Sequence, residues 1–254
     1  MNAAVITGAS SGLGCEFARQ LDNEPNIDEF WLIARRREKM EAFAETLKKP
    51  SRILPIDLTK REELSILKDA LHTNKPVITY LICAAGTGRM GKSMDIPPDD
   101  NAMMIDLNCR AAVDVTQMCY PYLRKGSRVL EISSTASFQP LPRLNVYSAS
   151  KAFLTSYTKM LHYELIPRGI KVTAVCPYWI KDTEFIGQAE KTSKDYSGYF
   201  LASRTQSVVK MALFDSKMNF WVSTPGPVCF VHRIAAKFIP HEIMVPLVDL
   251  VRKL

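Results

Sequence analysis

The chain has 254 residues, 47% of them hydrophobic and 23% charged, proportions that suit one α/β domain with its own core and exclude a disordered or fibrous chain. Its six cysteines (Cys15, Cys83, Cys109, Cys119, Cys176, Cys229) form no CxxC pair and have no histidine at metal-ligand spacing, so neither a disulfide framework nor a metal site is expected, and a reducing cytoplasm is. The formal charge of +7 is dispersed apart from Arg35-Arg36-Arg37 and lacks a nucleic-acid motif, so it reads as a solvated basic surface around an anionic ligand, with no nucleic-acid partner.

The first residues run directly into a strand and a turn, so no secretory leader is expected, and no apolar stretch reaches the roughly 18 residues of a spanning helix. Strands are predicted over 3–7, 30–34, 51–56, 77–83, 128–133, 171–176 and 220–223. Helices are predicted between them, over 12–22, 37–48, 60–73, 99–123 and 147–167. This alternation implies a doubly wound parallel sheet of about seven strands, covered on both faces, in a single domain over 1–254.

Two stretches break the rhythm. Residues 181–208 are polar but carry Phe185, Tyr196, Tyr199 and Phe200, and read as a substrate loop. Residues 225–254 form an apolar tail, in which Val228, Val231, Ile234, Ala235, Phe238 and Ile239 have helical spacing and Val245, Val248 and Val251 suggest a second helix. Such a stripe reads first as core or as a contact in a homodimer or homotetramer. A lid over substrate, or a membrane-surface element using Arg233, Lys237, Arg252 and Lys253, is the less favoured reading.

Between the first strand and the first helix stands Thr7-Gly8-Ala9-Ser10-Ser11-Gly12-Leu13-Gly14. Glycines there let the backbone approach a pyrophosphate, and a helix N-terminus offers it unpaired N–H groups. The spacing TGxxxGxG resembles the short-chain dehydrogenase/reductase family, whose Rossmann-type fold binds a nicotinamide dinucleotide. The resemblance places Gly8, Ser10, Ser11, Gly12, Leu13 and Gly14 around the cofactor phosphates.

At the end of the second strand the family carries an acid for NAD, or a base just after it for NADP. Here Ala34 is followed by Arg35 and Arg36, which can offer fork-shaped, charge-assisted hydrogen bonds to a 2′-phosphate. The cofactor implied is NADP(H), the bland alternative being an arginine run that opens a solvated helix. The family also places Asp57 and Leu58 beside the adenine and Ala85-Gly86 beside the adenosine ribose. Its NNAG segment is imperfect here, since Cys83 and Ala84 replace both asparagines.

Tyr147 and Lys151 in Tyr-Ser-Ala-Ser-Lys lie at i and i+4 of a predicted helix and so share a face. A phenol beside an ammonium has its pKa drawn down towards a range useful for acid–base work. A lone YxxxK occurs by chance, but Ser134 stands thirteen residues earlier, the family's separation for a catalytic serine, and Asn108 stands where relatives kink a helix and hold a relay water. The resemblance thus implies Ser134, Tyr147, Lys151 and Asn108 as catalytic residues, with Asn108, Tyr147 and Lys151 also touching cofactor. It covers about residues 3–183. After the sixth strand Tyr178 replaces a family glycine and Thr183 falls one residue late, so Pro177 and Ile180 are the expected nicotinamide contacts and Thr183 an added one.

The activity implied is interconversion of a ketone or aldehyde with an alcohol, on a hydrophobic carbonyl such as a steroid or long-chain aliphatic ketone. A 3-oxoacyl-carrier-protein reductase is the alternative, with Arg124, Lys125, Arg128 and Arg168 expected near the active-site mouth to dock an acidic carrier. A non-catalytic NADP(H)-sensing protein is the alternative of another class.

Overall fold

The structure, a computed structural model, describes residues 1–191 and 201–252, with backbone alone at 251 and 252. Tyr196, Tyr199 and Phe200 of the expected substrate loop lie outside the described residues, as does Lys253.

Seven strands form one parallel sheet in the order β3-β2-β1-β4-β5-β6-β7. They are β1 Asn2–Thr7, β2 Glu29–Ala34, β3 Ser51–Pro55, β4 Val77–Cys83, β5 Leu123–Ile132, β6 Lys171–Val175 and β7 Val222–Ser223. The order reverses between β1 and β4, and a ligand crevice forms at such a switch point, outside the carboxyl ends of the strands.

The helices are α1 Gly12–Leu21, α2 Arg37–Ala44, α3 Leu64–Asn74, α4 Pro98–Ile105, α5 Ala111–Cys119, α6 Asn145–Leu165, α7 Phe185–Ala189, α8 Thr205–Lys217, α9 Pro227–Phe238 and α10 His241–Arg252. On one face of the sheet, Phe17, Ala18 and Leu21 of α1, Met40 of α2, and Val209, Ala212 and Leu213 of α8 cover Ile6, Leu32, Tyr80 and Leu130. On the other, Leu64, Leu67 and Leu71 of α3 and Ala111, Val115 and Cys119 of α5 cover Val5, Trp31, Leu81 and Val129. Strands buried on both faces explain why their sequences read as continuous apolar runs rather than alternating ones.

Three differences from the sequence expectation have physical causes. The helix predicted over 99–123 is interrupted by a single π-turn, Asp106–Arg110, which places Asn108 inward. Within that turn Arg110 is clasped by Asp106 and Asp114, both at 2.8 Å, and donates to the Thr59 carbonyl at 2.7 Å. Helix α8 had no counterpart in the prediction, although Val208, Val209, Ala212 and Leu213 give it one apolar face. The last strand is two residues long, because Phe220 and Trp221 are exposed and stay outside it.

Candidate active site

A cleft of about 520 Å³ opens at the carboxyl ends of β1, β2, β4, β5 and β6. Gly8, Ser10, Ser11, Gly12, Leu13, Gly14, Arg35, Arg36, Asp57, Leu58, Ala85, Gly86, Ser134, Tyr147, Lys151, Pro177, Ile180 and Thr183 all line it. Asn108 does not: it is buried behind Gly86, where a Cβ on that glycine would stand 3.2 Å from its Oδ1 and 3.3 Å from Lys151 Nζ.

The glycine loop is closely fitted. A Cβ at Gly14 would lie 2.4 Å from the Gly8 carbonyl oxygen, and one at Gly8, whose φ is +68°, would lie 2.8 Å from Ala85 N. No larger residue enters without moving backbone, so the loop stays open to a phosphate as the N-terminus of α1 requires. At the far end of the cleft Arg36 donates from Nη2 to Ser10 Oγ and Ser11 Oγ, both at 3.0 Å. Three donors of a phosphate site therefore sit together, and these residues fit a dinucleotide that carries a 2′-phosphate. Arg35 lines the same end, exposed.

At the other end Ser134 follows β5, and its hydroxyl accepts from Ala136 N at 3.1 Å and bonds the Tyr147 phenol. Lys151 Nζ donates to the Ile132 carbonyl at 2.8 Å and lies 5.9 Å from the Tyr147 ring. Asn108 spans the gap behind them, donating to Thr87 O at 2.9 Å and Ser150 Oγ at 3.0 Å and accepting from Thr87 N at 2.9 Å. Ser133, the other strand-end serine, ties β5 to α6 through Lys151 O and Thr155 Oγ1.

The electrostatics correct one expectation. Tyr147 has its pKa pushed up by burial to about 12, opposed by the Ser134 hydrogen bond, rather than drawn down by Lys151. The cause is burial: the phenol lies beneath Phe185, whose ring centroid is 5.5 Å away, while Lys151 donates to the Ile132 carbonyl. Burial lowers Lys151 to about 8. In this arrangement Tyr147 holds its proton, as a donor to a carbonyl oxygen must.

Other residues of the site escaped the sequence reading. Glu131 on β5 is fully buried, accepts from Thr116 Oγ1 at 2.8 Å, and has its second oxygen unpaired. Burial raises it to about 7. With Thr116 and Cys83, 3.8 Å apart, it forms the polar brace between β4, β5 and α5 that the missing asparagines of the NNAG segment left open. Its cue in the sequence was a lone acid inside an apolar strand. Glu184 and Arg89 are the others. Arg89 is buried, pairs with Asp100 at 3.0 Å and donates to Gln188 O, holding the loop after β4 against the segment that contains α7.

The short-chain dehydrogenase family model matches residues 2–194. The chain belongs to the short-chain dehydrogenase/reductase family. A very-long-chain 3-oxoacyl-CoA reductase of Aspergillus terreus is 33% identical over 205 residues, which cover 75% of this chain and 55% of that one. A short-chain dehydrogenase from Sphingobium yanoikuyae, solved with NADPH, has the same fold at a TM-score of 0.81 and 24% identity, over 96% of this chain and 95% of that one. A Burkholderia phymatum member of the family, solved with NAD, has a TM-score of 0.81 at 16% identity, over 99% and 95%. The fold thus accommodates either dinucleotide, and the choice in this oxidoreductase rests on its own residues.

The structure also places Thr183 and the four basic residues expected at the mouth. Thr183, one residue late, donates to the Ile180 carbonyl at 3.1 Å and lies against Gly12, where a Cβ would meet its methyl at 3.2 Å. The basic residues expected at the mouth are elsewhere. Arg124, Lys125 and Arg128 lie on β5, four or more residues before its carboxyl end, and Arg168 just precedes β6. At about 3.3 Å per residue, Arg128 stands roughly 13 Å back along its strand from Ile132 and the cleft. Arg128 and Arg168 lie over the rings of Tyr80 and Tyr120, so aromatic partners account for them without an acidic carrier. No group of metal-ligating side chains and no helix long and apolar enough to cross a membrane occurs among the described residues.

Proposed function

We propose that this oxidoreductase is an NADP(H)-dependent carbonyl reductase acting on a hydrophobic ketone or aldehyde, with Tyr147 as its general acid and base. The observation that carries the reading is one cleft with two chemically distinct ends: Arg36, Ser10 and Ser11 at one, and Ser134, Tyr147 and Lys151 at the other. The bound dinucleotide would exchange a hydride with the carbonyl carbon. Tyr147 gives its proton to the carbonyl oxygen as the C–H bond forms, so the ketone, one hydride and one proton become the alcohol. Ser134 hydrogen-bonds that oxygen where negative charge develops. Lys151, whose Nζ stands 5.9 Å from the Tyr147 ring, would hold the nicotinamide ribose. Asn108 acts from behind, fixing the loop after β4 and the α6 backbone at Ser150.

Leu141, Leu144, Trp179 and Phe185, clustered with Tyr147, give the substrate end an apolar lining, which supports a hydrophobic carbonyl. A 3-oxoacyl thioester is the second reading, favoured by the identity to a very-long-chain 3-oxoacyl-CoA reductase. We assign residues 181–208 as the substrate loop and 225–254 as a tail whose exposed apolar stripe serves a homodimer or homotetramer. The six free cysteines support a cytoplasmic setting. NADPH oxidation against steroid, aliphatic and acyl-thioester ketones tests the whole. Turnover of one class supports it, whereas tight NADPH binding with no turnover on any would favour a cofactor sensor.

A further inference from the structure

Helix α7 bridges the two ends of the cleft through adjacent residues. Glu184, immediately before it, accepts from Arg36 Nη1 at 2.7 Å and from Lys39 Nζ at 2.9 Å. Phe185, its first residue, lies over Tyr147 and against Trp179, with ring centroids 5.5 and 6.3 Å away. The fit at Phe185 is close, because a Cβ on Gly88 would stand 2.8 Å from its Cζ. The segment hangs between two anchors. Before it, Asp182 accepts from Thr205 N at 2.9 Å and Thr205 Oγ1 at 2.9 Å; after it, Met90 N donates to Ala189 O at 2.8 Å.

Arg36 therefore faces two claims. Its Nη2 reaches the two serine hydroxyls of the phosphate end, while its Nη1 is held by a carboxylate from across the cleft. A carboxylate and a phosphate dianion placed on one guanidinium repel each other, so both cannot keep their full pairing. The Arg36–Glu184 pair is half exposed, at 39% and 44%, and an exposed ion pair is weak enough to be exchanged.

We infer that Glu184 is a built-in competitor for the 2′-phosphate of NADP(H), and that its ion pairs with Arg36 and Lys39 keep Phe185 over Tyr147 until that phosphate displaces them. The inference rests on the proposed preference for NADP(H). It makes Glu184 a specificity-determining residue that couples the adenosine end to the carbonyl end: the substrate position is uncovered when the phosphorylated dinucleotide is in place. A dinucleotide lacking the 2′-phosphate would leave the latch shut.

Calorimetric affinities for NADP⁺ and NAD⁺, on the wild type and on Glu184→Gln, test the competition. Removing the carboxylate that pairs with Arg36 and Lys39 should tighten NADP⁺ binding by about two- to five-fold and leave NAD⁺ unchanged. Trp179 reports the coupling without turnover. Adenosine 2′,5′-bisphosphate should shift its fluorescence and adenosine 5′-monophosphate should not, the difference being absent in Trp179→Phe and in Glu184→Gln. Unchanged or weaker NADP⁺ binding in Glu184→Gln, or equal tightening of both dinucleotides, would overturn the competition. A wild type that prefers NAD⁺ and a Glu184→Gln variant that prefers NADP⁺ would uphold it while removing the proposed cofactor.

Discussion

The cleft has two walls of opposite character. The wall formed by the loops after β1 and β4 is backbone against backbone: Gly8, Gly14 and Ala85 touch so closely that a single methyl has no place. The wall formed by Trp179, Glu184 and Phe185 is held by ring contacts and exposed ion pairs. Changing the first wall moves main chain, at the 1–3 kcal/mol or more of an overpacked core. Parting the second breaks interactions worth roughly 0–1 kcal/mol each. A dinucleotide common to many reactions meets the wall that does not adapt, and the substrate meets the wall that does.

The strongest way to break that contrast is Gly14→Val. The new side chain must displace the Gly8 carbonyl, so cofactor binding should vanish in calorimetry and thermal stability should fall. Retained binding would show the first wall to be as compliant as the second. Arg35→Ala with Arg36→Ala should weaken NADP⁺ by about 1.5–3 kcal/mol for each charged hydrogen bond lost and leave NAD⁺ nearly untouched. Equal loss of both would make the run structural only.

Stability against pH tests the brace beneath the first wall. Glu131 has a folded-state pKa of about 7, above its unfolded value of 4.5. The native state therefore binds the extra proton between those values, and its stabilisation is full below about pH 4.5 and lost as pH rises through 7. This contribution, on the order of 3 kcal/mol, should lower the wild-type melting temperature across that window relative to Glu131→Gln. Glu131→Gln should flatten the fall, and an unchanged profile would mean that the carboxyl is ionised throughout. The smallest effect on the cleft is expected from removing residues 228–254. In the tail Phe238 is 74% exposed and Phe230 57% exposed, so the loss should change the assembly state in light scattering. Cofactor affinity should stay within about two-fold, since none of the described tail residues lines the cleft.

The same contrast separates what the sequence disclosed from what it hid. The glycine loop, the arginines after β2 and the Tyr147–Lys151 spacing are local patterns, each contained in one loop or one helical turn, and all line the cleft. Asn108 was legible as a helix-breaking residue but lies behind the wall rather than on it. Glu184 and Phe185 gain meaning only from Arg36 and Tyr147, which are 148 and 38 positions away. The four cations from Arg124 to Arg168 misled for a similar reason, because charge without strand direction does not say which end of a parallel sheet it occupies. Helix α8 was readable from its spacing of Val208, Val209, Ala212 and Leu213, in a stretch whose polar first half drew it into a loop.

The most direct test of the central claim is Tyr147→Phe, measured for NADPH affinity and for NADPH oxidation against the best ketone of the panel. The phenol supplies a proton and little else to the site, so turnover should fall by at least about 10²-fold, the lower range for a general acid–base group. NADPH affinity should remain within a small factor, because only the hydroxyl is lost and the phosphate end is untouched. Undiminished turnover would contradict the assignment of Tyr147 and with it the chemistry proposed for the cleft.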